Sequence, residues 1–194
     1  MPLLESLRMV LSHATTQFPN EKTKVWDGES PDRQMIYFMD ISRAYFNAKV
    51  DESDPVDVEP PPKSDVTLGS CALLQRHLYG TCRAAGGWQS ECSGSLVEFG
   101  FTKVTSSACV FVQAERQIRV SVHGDDFTTV GAKCDLDWLE TSMENKYELR
   151  KGGRLGPGKD DAKEILVLNR VIRYTSAGLE YEADPRQGKR LLEN

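Results

Sequence analysis

The sequence predicts an α+β fold, a sheet built from hairpins with helices packed on one face. Three observations carry that expectation. Short apolar runs of strand length (Met35–Met39, Ala108–Gln113, Ile118–His123 and Phe127–Val130) recur with polar breaks between them. Apolar residues at helical spacing mark three segments, around Leu3–Ala14, Ala85–Phe99 and Leu136–Tyr147. The connectors between neighbouring runs, such as Ala114-Glu-Arg-Gln117, are short and polar, as hairpins require.

In chain order, Leu3, Leu7, Val10, Leu11 and Ala14 make residues 2–16 an amphipathic helix. The stretch from Phe18 to Asp32 is polar, carries Pro19, Gly28 and Pro31, and reads as a loop. Met35–Asp40 is a continuous apolar run ending on an aspartate, the pattern of a buried strand. From Asn47 to Ser70 the chain is acidic and proline-rich, an irregular excursion with at most a short strand at Val56–Glu59. Ala72–Tyr79 is apolar enough for a short element whose type the pattern leaves open. Ala85, Trp88, Cys92, Leu96 and Phe99 share one helical face, weakened by Gly86, Gly87 and Gly94 at about 1 kcal/mol each and capped by Gly100. Leu136, Leu139, Met143 and Tyr147 make one face of another helix, with aspartates at its start where the helix dipole favours them. Gly152, Gly153, Gly156 and Gly158, with Pro157, read as a glycine-rich loop, and Ile165–Tyr174 with Gly178–Glu182 as a final hairpin.

With 194 residues, 39% of them hydrophobic and 27% charged, the chain has the make-up of one globular domain. No apolar run approaches the roughly 20 residues of a membrane span, and the N-terminus lacks the basic and apolar regions of a secretory signal. Five cysteines, odd in number and without a Cys-x-x-Cys pair, stand with only three histidines, so neither a zinc site nor a disulfide framework is expected. Reduced intracellular thiols fit that pattern. A net charge of −5 speaks mildly against a nucleic-acid partner, but it is unevenly spread: residues 146–194 carry a local excess of +3.

The chemistry is concentrated at strand tips. Asp125 and Asp126 sit in a turn between apolar runs in Ile118-Arg-Val-Ser-Val-His-Gly-Asp-Asp-Phe-Thr-Thr-Val130, and Asp40 ends an earlier strand. Burying carboxylates there costs several kcal/mol unless a cation compensates, and Mg2+ prefers such hard oxygen ligands. Two ions about 4 Å apart can activate a 3′-hydroxyl and stabilise a leaving pyrophosphate. Asp-Asp is also ordinary turn chemistry, and a two-carboxylate hydrolase or metal nuclease would share the acidic constellation.

The surrounding segments carry a resemblance. Asp40-Ile-Ser-Arg-Ala-Tyr-Phe-Asn-Ala48 resembles the first catalytic motif of reverse transcriptases. His77-Leu-Tyr-Gly80 with Trp88 is similar to the Ser-Leu-Tyr-Gly…Trp segment of copia-type retrotransposon polymerases. Glu98-Phe-Gly-Phe101 leading to Ser107-Ala-Cys-Val-Phe111 resembles their Gly-Phe…Asp-x-x-x-Phe stretch. Val122-His-Gly-Asp-Asp126 stands where they have Tyr-Val-Asp-Asp, and Glu180-Tyr-Glu-Ala-Asp-Pro185 where their following hairpin leads into the next helix. The five segments fall in the right order over residues 33–190.

The resemblance implies a polymerase palm-like antiparallel sheet over residues 1–194, without fingers, thumb and RNase H regions. It implies an RNA-directed DNA polymerase that adds deoxynucleotides to a primer 3′-hydroxyl. Asp40, Asp125 and Asp126 would be catalytic and would bind two Mg2+ ions, with Mn2+ as a substitute. Ile41, Tyr45 and Arg83 would meet the incoming deoxynucleoside triphosphate, Tyr45 lying under its sugar as a steric gate against a 2′-hydroxyl. His123, Gly124, Arg170 and Arg173 would face the primer. The implied partners are an RNA template and a DNA primer, with no membrane, and the implied location is a cytoplasmic virus-like particle. A folded remnant without enzymatic role is the alternative. Read without the resemblance, Tyr45 is also a core tyrosine, His123 a turn residue, and the two arginines an exposed strand's surface.

Besides the substitutions within those segments, the chain departs from the family pattern before Trp88 and beside the paired aspartates. Where the family reads Leu-Lys-Gln-Ala-Pro-Arg-Ala-Trp, this chain has Thr81-Cys-Arg-Ala-Ala-Gly-Gly-Trp88, so Arg83 replaces a nucleotide-holding Gln. Arginine still offers a cation to a triphosphate. Gly124 replaces a bulkier Val beside the aspartates.

Overall fold

The computed structural model describes residues 4–16, 33–65, 67 and 69–182. The loop expected over 18–32 and the segment after 182 lie outside the described residues. Three helices, α1 (Leu4–Thr15), α2 (Ala84–Glu98) and α3 (Lys133–Glu144), accompany a largely antiparallel sheet, so the class is α+β as expected. Eleven strands are described: β1 (Gln34–Ile41), β2 (Asp57–Val58), β3 (Ala72–Leu73), β4 (Thr102–Lys103), β5 (Val110–Gln113), β6 (Ile118–His123), β7 (Asp126–Ala132), β8 (Leu149–Leu155), β9 (Glu164–Val167), β10 (Arg170–Thr175) and β11 (Gly178–Tyr181). The main sheet runs β4-β5-β6-β7-β1-β8, and a second sheet runs β11-β10-β9.

β1 is apolar at nearly every position because both its faces are covered. Met35, Tyr37, Met39 and Ile41 point into a layer with Trp88 and Leu96 of α2 and Leu136, Leu139 and Met143 of α3. Ile36 and Phe38 point the other way, into a layer with Leu7, Val10, Leu11 and Ala14 of α1 and Ile172 of β10. The expectation that the helices share one face is thus corrected. α2 and α3 do, whereas α1 packs on the reverse face beside the second sheet. Alternation along a strand sends successive side chains to opposite faces, and with both faces apolar one helix layer cannot cover them.

The stretch read as a glycine-rich loop is instead partly the edge strand β8, paired with β1. Its glycines have local causes. The register slips opposite Phe38 and Met39, where a Cβ on Gly152 would lie 3.0 Å from the Phe38 carbonyl oxygen and Gly153 has φ +107°. This is a β-bulge, which glycine permits. The run Ile165–Tyr174 likewise breaks into β9 and β10 at Leu168 and Asn169, whose φ values of 49° and 60° make a two-residue hairpin turn. The segment 72–79 contributes only the two residues of β3. The cap at Gly100 forms as expected: Gly100 N–H donates to Val97 O and Phe101 N–H to Leu96 O, both at 2.9 Å, while Phe101 is buried.

The acidic excursion after β1 closes on itself. Val50 N–H donates to Gln75 O at 3.3 Å and His77 N–H to Ala48 O at 3.0 Å, so residues 78–80 return beside the turn that follows β1. Among the described residues, no helix is long and apolar enough to cross a membrane.

Candidate active site

Asp40 lies one residue from the end of β1, and Asp126 is its register partner at the start of β7. Directly opposed residues of an antiparallel pair sit side by side. Asp125 precedes Asp126 in the β6–β7 turn, and its carbonyl accepts the Ile41 N–H at 3.0 Å, which locks the turn to the tip of β1. Gly124 holds φ +66° there, a conformation that suits glycine at the turn. Its carbonyl accepts the indole N–H of Trp88 at 2.8 Å, so α2 anchors the turn from the core side. Three elements distant in sequence therefore converge on these carboxylates.

The convergence has an electrostatic signature. Burial pushes the Asp126 carboxyl above the usual carboxylate range, and the Asp125 and Asp40 charges add to the effect, while His123 opposes it. His123 is the register partner of Asp126 on β6. Among the described residues, no group of three His, Cys, Asp or Glu side chains forms a preformed cation cage. Mg2+ does not need one, because it commonly takes one or two carboxylates and completes its shell with water and substrate phosphates. The donor set fits such an ion: carboxylate oxygens, with like charges that a cation would relieve.

Beside the turn lies a cavity of about 560 Å3, lined among others by Tyr45, Trp88, Gln89, Cys92, His123 and Gly124. Tyr45 belongs to a 3-10 turn, Ala44–Asn47, entered through Arg43 in the left-handed region at φ 53°. Arg43 is tied by its side chain to Glu148, and the Ser42 N–H donates to the Glu148 carbonyl at 2.9 Å. Within the cavity wall, burial pushes the Cys92 thiol up to about 12, so it stays protonated and behaves as a small apolar group.

The structure brings Asp40, Ile41, Tyr45, His123, Gly124, Asp125 and Asp126 into one neighbourhood. It places the arginines otherwise. Arg83, just before α2, is paired with Asp54 of the acidic excursion. Arg173 is held by Glu164, Glu180 and Glu182 within the second sheet, and Arg170 lies over the Tyr181 ring at 5.6 Å.

Sequence reasoning did not assign a site role to Tyr79. Its ring stacks on Tyr45, with centroids 4.2 Å apart and planes 18° from parallel, and meets Phe46 edge-on at 5.7 Å. Burial and the Asp125 charge raise its hydroxyl pKa, while the backbone amides of Tyr45 and Ala44 act in the opposite sense. The signal available in the sequence was the Leu78-Tyr79-Gly80 segment itself, but its return to Tyr45 depends on how the excursion closes.

A family model described as reverse transcriptase (RNA-dependent DNA polymerase) matches residues 29–157. The matched residues span the three aspartates, α2, α3 and β8, and end before the β9–β11 sheet. No curated protein matches the chain.

Proposed function

This chain belongs to the reverse transcriptase (RNA-dependent DNA polymerase) family, and from that premise we propose that its strand tips form a two-metal nucleotidyl-transfer centre of the copia type. The observation that carries the reading is the register pairing of Asp40 with Asp126, with Asp125 beside them in the turn. These three carboxylates would hold Mg2+, which when bound supplies charge to activate a primer 3′-hydroxyl and to stabilise the departing pyrophosphate. The protein's own part is placement. Bonds from Ile41 and Trp88 hold the carboxylate turn against β1 and α2, and such pre-set geometry is what nucleotidyl transfer asks of the enzyme.

Tyr45, in the wall of the cavity beside the turn, would support the sugar of an incoming deoxynucleoside triphosphate. His123 and Gly124, in the same cavity wall, would face the primer end, with an RNA template across from it. Arg83 would serve the triphosphate after leaving Asp54, and an exposed pair of that kind is worth only about 0–1 kcal/mol. Arg170 and Arg173 would meet primer phosphates only from the second sheet, and Arg173 would first have to leave three carboxylates.

Primer extension on an RNA template with deoxynucleotides and Mg2+ tests the reading. Asp125→Asn should lower the rate by at least about a thousandfold, because a metal-held charge is worth several kcal/mol in the transition state. Extension that is Mg2+-dependent in the parent and unchanged in Asp125→Asn would sink the assignment.

A further inference from the structure

Tyr79 is a tyrosine lying over the residue that the proposed function places under a nucleotide sugar. Tyr45 packs against the core between the sheet and α2, and Tyr79 covers one face of its ring at 4.2 Å. A nucleotide whose phosphates reach a metal at Asp125 must set its sugar between that metal and Tyr45. The face of Tyr45 on which Tyr79 stacks is closed to a sugar for as long as the two rings stay in contact.

Tyr79 is not a buried brace. It is 45% exposed, and its other ring neighbour, Phe46, is 41% exposed. It stands next to Gly80, which has φ +94° and no atom within 4 Å of where a Cβ would sit, so the chain beside it has open space. The ring is held by aromatic contact with Tyr45 and Phe46, and its hydroxyl by the backbone amides of Tyr45 and Ala44.

Resting on the nucleotide site proposed above, we propose that Tyr79 covers the sugar-bearing face of Tyr45 and must swing aside for a nucleotide to bind. It is a stand-in for the sugar, and it lowers affinity for any nucleotide that cannot displace its ring contacts and the backbone partners of its hydroxyl. The same contacts would let the ring close again once pyrophosphate and the extended strand move on.

Calorimetric titration of the full chain with dTTP in Mg2+ tests this. Tyr79→Ala should bind dTTP about tenfold more tightly than the parent, since a competing state that excludes the ligand reduces apparent affinity by the fraction it occupies. Tyr79→Leu should show the same direction, which guards against a misfolded alanine variant. Inorganic tripolyphosphate has no sugar and should bind the parent and Tyr79→Ala alike. Equal or weaker dTTP binding by both variants, with binding in the parent that is lost in Asp40→Asn, overturns the sugar-face role of Tyr79 alone. An equal gain for tripolyphosphate also overturns it. If neither the parent nor Tyr79→Ala binds dTTP in an Asp40-dependent way, the nucleotide site falls and the role of Tyr79 with it.

Discussion

Asp126 concentrates the electrostatic tension of the site in one side chain. A carboxyl whose native pKa stands above its unfolded value holds its proton more tightly when folded, so stability falls as pH rises through that interval. Asp126 is such a group, through burial first and then its neighbours' charges. Asp126→Asn should therefore raise the urea midpoint at pH 7, and the gain should shrink in acid, below the ordinary carboxylate range. Adding Mg2+ should raise the parent's midpoint more than the variant's, and chelation should reverse it; equal shifts in both would count against the carboxylate as a ligand. A steric dependence stands at Gly87, where an added Cβ would sit 2.2 Å from the His77 ring. His77 is 7% exposed and cannot move into solvent freely. Gly87→Ala should cost about 1–3 kcal/mol by overpacking, yet stabilise a His77→Ala background by up to about 1 kcal/mol through helix propensity. A double-mutant cycle in urea reads both signs. The Gly87 dependence is not legible in the sequence, because His77 and Gly87 lie ten positions apart and meet only through the fold.

At the scale of elements, the strand-length runs and helical faces were readable because burial imposes a period on them. β6 and α2 fall where the pattern predicts. What failed were strands whose residues break the local rules. β8 carries glycines because the Phe38 carbonyl crowds its bulge, and the β9–β10 turn puts Leu168, a poor left-handed residue, at φ 49°. In both cases pairing with a neighbouring strand overrides propensity. The loop after β8 is pinned to the residue before β1 by a two-pronged ion pair, Arg33 Nε to Asp161 Oδ2 at 2.8 Å and Nη2 to Oδ1 at 2.7 Å. Asp161 is almost fully covered, also accepts the Gly158 N–H, and its carboxyl is held below the usual range chiefly by that guanidinium. Its stabilisation is present above the unfolded carboxyl pKa and is lost as pH falls through the lower folded value. Asp161→Ala should cost about 3 kcal/mol near neutrality, and the difference from the parent should close only in strong acid, as urea titrations across pH would show.

At the scale of the whole molecule, α1 joins the two sheets on the face opposite α2 and α3. Leu11 is 5% exposed in that layer, so Leu11→Ala should cost about 2–5 kcal/mol. If α1 is the common support, the variant should raise amide exchange in β9–β11 as well as in β6–β7. Exchange confined to α1 would show that the second sheet stands without it. The arrangement matters for the candidate site, because β1 is held from both faces while its tip carries Asp40. A strand packed on both sides can deliver a carboxylate to a fixed place without itself being charged or polar.

The sequence by itself determined the α+β class, most helices and central strands, and the identity of the carboxylate cluster, since periodic burial and strand-ending aspartates are local patterns. It also carried the family resemblance that the match over residues 29–157 bears out. The tertiary structure alone decided that Asp40 faces Asp126 in register, that Trp88 ties α2 to the carboxylate turn, and that α1 covers the reverse face. It alone brought Tyr79 onto Tyr45 and drew Arg83 and Arg173 into pairs with nearby carboxylates. The physical reason is common to all of these: each depends on contacts between segments far apart in the chain, and no local propensity or spacing encodes the register at which such segments meet.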